Sequence, residues 1–231
     1  MALSTEERVA RLAQQIASEF ESGMTLGLGS GSTAEAVVRA IGERMTAESG
    51  FRITGVATSA RTQRLAESLR IPVVDLSDVS SIDLGFDGAD EIDAQLNLVK
   101  GRGGALLYEK LVAEVCDDYI VVSTSEKLVD RLGTRVPLPV EIVPYGWRHT
   151  ADRIIGLGLQ PTLRELDDGS IRTDAGNFIL DCIPDPSIDL LVVARDIKTL
   201  TGVVEHGVFP SIARRAAIVD PDGSIRTVLP A

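Results

Sequence analysis

The strongest constraint on the fold is an alternation of short apolar runs with amphipathic helical patterns in the first part of the chain. A helix is expected first, because Ser4 and Glu7 have the spacing of a capping box and Gly23 follows the apolar face behind them. The apolar runs predict strands at Met24–Leu28, Ile53–Ala57, Val73–Leu76, Ile82–Phe86 and Tyr119–Ser123. The patterns between them predict helices at Thr33–Met45, Arg61–Leu69 and Ala105–Val115. This alternation favours an α/β fold, with a Rossmann-like parallel sheet and helices on both of its faces.

The pattern changes after Leu132, where Pro137, Pro139 and Pro144 interrupt the chain. Strands are expected at Val140–Val143, Gln160–Leu166, Ser170–Leu180 and Val203–Phe209, with a turn at Asp167–Gly169 and helices at Trp147–Ile155 and Asp189–Leu200. This predicts a smaller α+β domain with an antiparallel sheet. The segments Ala216–Val219 and Ile225–Val228 flank a turn sequence and are expected to form a hairpin.

Composition limits the partners of the chain. A net charge of −11 argues against nucleic acid or an anionic membrane, so an anionic ligand must be held by local cations and amides. The first residues lack a signal-peptide pattern, and the apolar runs are too short to span a bilayer. Cys116 and Cys182 are expected to be reduced core thiols of a cytoplasmic protein. His149 and His206 are too scattered to suggest a metal cluster.

The segment 83–110 contains the most chemistry. Asp87 and Asp90 follow an apolar run, Lys100 precedes the glycine-rich stretch 101–104, and Glu109 lies in the next helical pattern. Carboxylates, a cation and free backbone amides together can hold hydroxyl groups and move a proton. The two aspartates could instead be a helix-capping acid and a surface acid. A metal site is a third alternative, although Gly88 breaks any calcium-loop pattern.

Glu109 is the strongest candidate for a general base. Its neighbours at helical spacing are all apolar, and no cation lies at that spacing; they are Ala105, Leu106, Val112 and Ala113. A carboxylate on an apolar stripe should have a raised pKa, which suits a base that works near neutral pH. The alternative is a solvated glutamate that borders the core.

A glycine-rich loop, residues 27–33, joins the first strand to the second helix. Ser30, Ser32 and Thr33 supply hydroxyl groups, and the helix N-terminus behind them favours an anion. The loop half-matches a dinucleotide fingerprint, but the second strand ends without an acidic residue to bind a ribose. No Walker lysine follows. The loop therefore fits either a sugar phosphate or a purely structural tight turn.

A series of sequence blocks follows in a fixed order along the chain. They are GLGSGSTA, TSARTQRLAESLRIPVVDL, DGADEID, LVKGRGGALLYEK, VVSTSEKLVDRLG, LPVEIVPYGW, TDAGNFILDC and GVVEHGVF. Together they resemble ribose-5-phosphate isomerase type A. The resemblance extends from about Met24 to Val228. It implies interconversion of D-ribose 5-phosphate and D-ribulose 5-phosphate in the non-oxidative branch of the pentose phosphate pathway. It also implies that no metal or organic cofactor is needed, and that the protein is a homodimer or homotetramer.

The resemblance also implies roles for particular residues. Glu109 would move a proton between C2 and C1, Lys100 with the amides of Gly101–Gly103 would stabilise the enediolate, and Asp87 and Asp90 would orient hydroxyls and assist ring opening. The implied substrate-binding residues are Ser30, Gly31, Ser32, Thr33, Asp87, Gly88, Ala89, Asp90, Lys100, Gly101, Arg102, Gly103 and Lys127. Arg102 stands where many relatives have glycine and either contacts phosphate or points to solvent. Without the resemblance, Lys127 reads as a surface lysine.

The resemblance further implies that the terminal hairpin returns to the first domain. We therefore expect a catalytic domain of residues 1–132 and 208–231, and a smaller domain of residues 133–207 that serves oligomerisation and covers the site. The main alternative function is a sugar-phosphate sensor domain without turnover. Only about 23 residues precede the first strand, too few for the DNA-binding module such sensors carry. An NAD-dependent dehydrogenase is disfavoured by the missing acidic residue.

Overall fold

In a computed structural model the protein is described over residues 3–166 and 169–231. The helices are α1 (Thr5–Glu19), α2 (Ser32–Ala47), α3 (Ala60–Ser68), α4 (Leu106–Glu114), α5 (Trp147–Ile155) and α6 (Leu190–Thr199). The strands are β1 (Thr25–Leu28), β2 (Thr54–Ala57), β3 (Ile82–Asp87), β4 (Glu91–Ile92), β5 (Leu98–Val99), β6 (Cys116–Thr124), β7 (Leu138–Ile142), β8 (Leu159–Leu163), β9 (Glu165–Leu166), β10 (Gly169–Ser170), β11 (Phe178–Pro184), β12 (Val203–His206), β13 (Val208–Phe209), β14 (Arg215–Val219) and β15 (Ile225–Val228).

The largest sheet has six strands in the order β15-β14-β6-β3-β1-β2. Its neighbouring strands run parallel except for the terminal hairpin of β14 and β15, where β14 also pairs in parallel with β6. Residues of α1, α2 and α3 share one buried cluster with Leu84 and Phe86 of β3. On the opposite face, Val112 of α4 lies so close to Gly27 that a Cβ there would meet it at 2.8 Å. The prediction of a parallel sheet with helices on both faces is confirmed.

A second sheet is antiparallel and has the order β12-β7-β11-β8. It packs with α5 and α6 around its own buried cluster, which includes Ile154, Leu180 and Ile197. The four strands all lie within residues 133–207. The prediction that this part of the chain forms an α+β unit with an antiparallel sheet is confirmed. The division of the chain into domains at 132/133 and 207/208 stays a prediction.

A third, three-stranded sheet, β13-β5-β4, joins the two larger ones. The predicted strand Val203–Phe209 is wrong at Gly207, where the chain leaves β12 and enters β13. The chain changes partner strands at this residue, because Gly207 N–H still donates to the Pro139 carbonyl of β7 at 2.8 Å whereas β13 pairs with β5. Only glycine fits here, because a Cβ at residue 207 would collide with the carbonyl oxygen of Lys100. The Gly207 carbonyl accepts a hydrogen bond from the Lys100 N–H at 2.8 Å. This segment therefore fixes the backbone of a predicted site residue.

Two other strand predictions need correction. Val73–Leu76 is not a strand: Val73 makes a single bridge to Gly55, and Asp75 then accepts a hydrogen bond from Ser77 N–H at 2.8 Å and starts a 3₁₀ turn. The stretch Ser170–Leu180 is broken by a turn, in which Gly176 has φ +81° and donates to Thr173 at 2.8 Å. At the predicted turn Asp167–Gly169, residues 167 and 168 lie outside the described residues.

The predicted strand Gln160–Leu166 is also interrupted, at Arg164, because β8 pairs with β11 whereas β9 pairs with β10 in a separate two-stranded sheet. The other predicted elements are confirmed to within a few residues, including the capping box of Ser4 and Glu7. Both cysteines are free thiols; Cys182 is buried and Cys116 is partly buried. Among the described residues, no helix is long and apolar enough to cross a membrane.

Candidate active site

The predicted site residues meet at the carboxyl ends of β1, β3 and β6. The loop after β1 lies against the end of β3, where Asp87 accepts a hydrogen bond from Ser30 N–H at 3.0 Å. A Cβ at Gly29 would come within 2.5 Å of Asp87 Cγ, so only glycine allows this approach. Side chains that follow parallel strands at one sheet edge are the usual place for a ligand in open α/β sheets.

A cavity of about 140 Å³ lies at this edge. The residues that line it are Ser30, Gly31, Ser32, Thr33, Gly88, Ala89, Asp90, Lys100, Gly101, Arg102, Gly103, Glu109 and Lys127. Every one of these residues was predicted from the sequence. Asp87 is the predicted site residue that does not line the cavity, because its side chain is fully buried behind it.

A buried lysine joins two buried carboxylates beneath the cavity. Lys100 Nζ lies 3.1 Å from Asp87 Oδ2 and 3.3 Å from Glu109 Oε2, and it donates to the Gly88 carbonyl at 2.5 Å. The three residues are 3%, 0% and 4% exposed. Helical spacing could not reveal Lys100 as a partner of Glu109, because the lysine comes from the loop ahead of the helix. A cation and two acids that are buried together form a strongly coupled group.

Burial decides the charge state of Glu109. It raises the pKa of this carboxyl to about 8, the nearby Lys100 ammonium opposes the rise, and the Asp87 carboxylate adds to it. Burial likewise raises the pKa of Asp87 against the attraction of Lys100. Burial alone would lower the pKa of Lys100, but the carboxylates of Asp87 and Glu109 outweigh it and raise the pKa. The predicted rise for Glu109 is confirmed, and its value lies where a general base works well at neutral pH.

The backbone amides of the glycine-rich stretch are only partly free. Arg102 N–H donates to Asp90 Oδ2 at 3.2 Å, and Gly104 N–H closes a turn onto the Gly101 carbonyl at 3.0 Å. For the N–H groups of Gly101 and Gly103, the described residues offer no hydrogen-bond acceptor. Gly101 has φ +101° and Gly104 φ +84°, which explains the glycines at those positions. Both N–H groups thus belong to residues that line the cavity.

A cluster of hydroxyl groups supports the loop after β1 and was missed in the sequence. Ser30 Oγ lies 2.7 Å from Thr58 Oγ1 and 3.0 Å from Ser59 Oγ, and Thr62 Oγ1 donates to the Gly29 carbonyl at 3.1 Å. The Ser30 hydroxyl is therefore held by side chains of its own protein. Ser32 and Thr33 begin α2 behind Gly31, which has φ +84°. The run Thr58-Ser59 directly after a strand was the available signal.

Two cations on the rim are available to an anion. Among the described residues, neither Arg102 nor Lys127 takes part in an ion pair. Lys127 ends a 3₁₀ turn that follows β6, and its side chain is partly buried. A larger cavity of about 550 Å³ lies between α3 and α4, but its charged lining residues are Asp75 and Asp174. That cavity would repel a phosphate, whereas the smaller one offers it cations.

The described residues contain no group of three or more His, Cys, Asp or Glu side chains that could hold a metal ion. The fold and the site therefore define an α/β protein with a buried carboxylate base beside a lysine, and with hydroxyls, amides and cations around a small cavity. Proton transfer on a small, hydroxylated anion is the chemistry that this arrangement suits best.

Comparisons with known proteins identify the family. The family model for ribose 5-phosphate isomerase A, also called phosphoriboisomerase A, matches residues 54–223. A curated relative from Thermomicrobium roseum, ribose-5-phosphate isomerase A, is 48% identical over 91% of this chain and 89% of its own length. A solved ribose 5-phosphate isomerase from Plasmodium falciparum has a TM-score of 0.93 and 34% identity, and covers 97% of this chain and 99% of its own.

A further solved structure is a D-ribose-5-phosphate isomerase in complex with phospho-erythronic acid. It has a TM-score of 0.93 and 33% identity, and covers 98% of this chain and 100% of its own. The present chain belongs to the ribose 5-phosphate isomerase A family. The resemblance seen in the sequence motifs is confirmed.

Proposed function

We propose that this protein interconverts D-ribose 5-phosphate and D-ribulose 5-phosphate through a cis-enediolate. Family membership supports the reaction, and the observation that carries the proposal is Glu109. Its carboxyl is buried beside Lys100, has a pKa raised to about 8, and lines the cavity. An aldose–ketose isomerase needs such a base within reach of a carbon-bound proton.

The proton balance follows from one base. Glu109 takes the proton from C2 of the open-chain aldose, the electron pair of that bond forms the C1–C2 double bond, and the negative charge moves to O1. The Lys100 ammonium and the N–H groups of Gly101 and Gly103 belong to residues that line the cavity, and they would stabilise this charge. A proton then moves from O2 to O1, and Glu109 returns its proton to C1. The product is the ketose, and the enzyme regains its starting state.

The two aspartates take different parts in this scheme. Asp90 lines the cavity and is partly exposed, so its carboxylate can orient a sugar hydroxyl and assist ring opening. Asp87 is fully buried and holds Ser30 N–H, Gly88 N–H and Lys100. Its part is therefore to fix the lysine and the loop. This narrows the sequence prediction, in which both aspartates contacted sugar hydroxyls.

The phosphate is assigned to the rim. Lys127, Arg102 and the N-terminus of α2 at Gly31–Thr33 surround the cavity, and together they supply charge and N–H donors. Because the net charge of the chain is −11, these local groups must provide the attraction. A homodimeric or homotetrameric assembly and a cytoplasmic location stay predictions.

The alternative, a sugar-phosphate sensor without turnover, lacks a comparable argument. A protein that only binds a sugar phosphate does not need a buried carboxylate such as Glu109, because burial makes ionisation of that group energetically unfavourable. A coupled assay that follows ribulose 5-phosphate formation from ribose 5-phosphate separates the two functions. We expect turnover by the purified chain; saturable binding of ribose 5-phosphate without turnover would favour the sensor.

A further inference from the structure

Arg164 connects the antiparallel sheet to the glycine-rich stretch of the site. It follows β8, and its side chain is 12% exposed. Its Nε donates to Asp181 Oδ2 at 2.8 Å, and its Nη2 donates to the other oxygen of the same carboxylate. Asp181 lies on the neighbouring strand β11. A two-pronged pair of this kind fixes the plane of the guanidinium group.

The remaining arm of the guanidinium group reaches the site loop. Arg164 Nη1 donates to the carbonyl oxygen of Gly101 at 3.1 Å and to that of Arg102 at 2.9 Å. Both carbonyls belong to the stretch that lines the cavity, but Arg164 itself does not line it. It therefore contacts the loop without contacting the cavity.

Because the peptide bond is planar, the contact of Arg164 with these two carbonyls also sets the direction of the N–H groups that follow them. In a trans peptide the carbonyl of one residue and the N–H of the next point in opposite directions. When the Gly101 carbonyl points toward Arg164, the Arg102 N–H must point away from it, and it does so toward Asp90 Oδ2 at 3.2 Å. When the Arg102 carbonyl points toward Arg164, the Gly103 N–H is likewise turned to the other side.

We propose that Arg164 is a positioning residue for catalysis, which aims the Gly103 N–H at the developing enediolate oxygen and the Arg102 N–H at Asp90. The proposal rests on the isomerase function given above. It assigns the antiparallel sheet a direct part in the reaction, because the pair of Arg164 and Asp181 belongs entirely to that sheet and its edge. A purely structural reading would make Arg164 only a link between the two sheets.

Arg164→Lys is the first test, since lysine keeps the charge but cannot hold Asp181 and both carbonyls at once. Misplacing a catalytic donor by about 1 Å can cost about 10²-fold, so we expect kcat to fall at least about tenfold while KM changes less than about threefold. Asp181→Asn is the second variant. It keeps the size of the side chain but weakens the two hydrogen bonds between residue 181 and Arg164. We therefore expect kcat to fall, but by less than in Arg164→Lys.

Arg153→Lys is the matched control. Arg153 also donates from Nη1 to a backbone carbonyl, that of Thr201 at 3.2 Å, but it lies on α5 away from the site. Its kcat should stay at the wild-type value. If the wild type itself does not isomerise ribose 5-phosphate, the proposed function is wrong. If the wild type is active and Arg164→Lys matches Arg153→Lys, only the positioning role is wrong.

Two substrate analogues, tested as inhibitors, separate a positioning role from a purely structural one. Phospho-erythronic acid presents a planar, charged carboxylate where the enediolate forms, whereas ribitol 5-phosphate presents neutral hydroxyls. If Arg164 aims a donor at the charge, Arg164→Lys should weaken the binding of phospho-erythronic acid about as much as it lowers kcat/KM. The affinity for ribitol 5-phosphate should change less than about threefold, because neutral hydroxyls gain little from that donor.

Equal losses for the two inhibitors would contradict the proposal and indicate a structural link only. If Arg164→Lys does not fold, the same two inhibitors are measured with Asp181→Asn, and that variant decides the question. A folded Asp181→Asn variant with unchanged kcat and unchanged inhibitor affinities would also overturn the positioning role.

Discussion

The two larger sheets of this protein divide their tasks unequally. The residues that line the cavity come from the loops after strands of the six-stranded sheet, from the start of α2, from the segment that follows β5, and from α4. The four-stranded sheet supplies none of them, although it has its own buried core and holds the site loop through Arg164. Each region has its own apolar core, but the buried group of Asp87, Lys100 and Glu109 belongs to the first region. Substitutions in the two regions should therefore affect different measurements.

Glu109→Gln should have the largest effect on activity. The amide keeps the size of the side chain but cannot accept a proton, so kcat should fall by about 10²–10⁴-fold, the usual contribution of general acid–base catalysis. Binding of phospho-erythronic acid should persist. A folded variant that keeps near-normal kcat would show that the base is another group.

The same variant should also change the response of stability to pH. Between the ordinary pKa of glutamate and about 8, folded wild type holds a proton that the unfolded chain has released, so its stability falls as pH rises. The Gln variant lacks this loss. It should therefore gain stability relative to the wild type from pH 5 to pH 9 in chemical denaturation.

Lys100→Met should damage both activity and stability. Without its ammonium, two buried carboxylates lose their partner, and breaking a buried pair typically costs about 3–5 kcal/mol. Loss of a donor to the enediolate should lower kcat by about a hundredfold in whatever protein folds. Lys198→Met is a suitable control, because this half-exposed lysine pairs with Glu205 away from the cavity. Equal stability losses in the two variants would contradict the importance of the buried group.

Lys127→Met should affect binding more than turnover. If Lys127 holds the phosphate in both ground and transition states, KM should rise about tenfold, which corresponds to about 1.4 kcal/mol, while kcat stays within about threefold. Steady-state kinetics measure both constants. A fall in kcat at unchanged KM would instead place this lysine at the reacting atoms.

Ile154→Ala should have the smallest effect on activity, although its effect on stability is large. Ile154 is fully buried in the core of the antiparallel sheet, so its truncation should lower the free energy of unfolding by about 2–5 kcal/mol. At a temperature where the variant is folded, kcat should stay within about twofold of the wild type. A tenfold fall in kcat would mean that the two regions are coupled throughout the second core.

The sequence predicted the parts of the fold that follow from local patterns. The helix from Trp147 to Ile155 has the predicted bounds, and the motif residues of the cavity are brought together as expected. Strand predictions failed where long-range contacts decide. At Gly207 the chain changes its partner strand from β7 to β5, and Val73 pairs with only one residue of β2.

The same limit applies to the site. The raised pKa of Glu109 was predictable from its apolar neighbours, but its contact with Lys100 was not, because the loop geometry of Gly101–Gly104 creates it. The contact of Arg164 with the Gly101 carbonyl joins residues far apart in the chain. Short-range spacing cannot reveal contacts of that kind.

The measurement that tests the central claim most directly is solvent deuterium incorporation as a function of pH. In D₂O the wild type should place deuterium at C1 of ribulose 5-phosphate, because a proton held on Glu109 can exchange with solvent before it returns. The kcat/KM for ribose 5-phosphate, which reports the ionisation of the free enzyme, should rise as Glu109 ionises near pH 8 and level off above it. Glu109→Gln should leave the substrate unlabelled while the wild type reaches equilibrium. Two results would contradict Glu109 as the proton carrier. One is labelling at the wild-type rate in Glu109→Gln. The other is a wild-type kcat/KM that stays constant from about pH 6.5 to about pH 9.5, a range of about 1.5 units on either side of the pKa of Glu109.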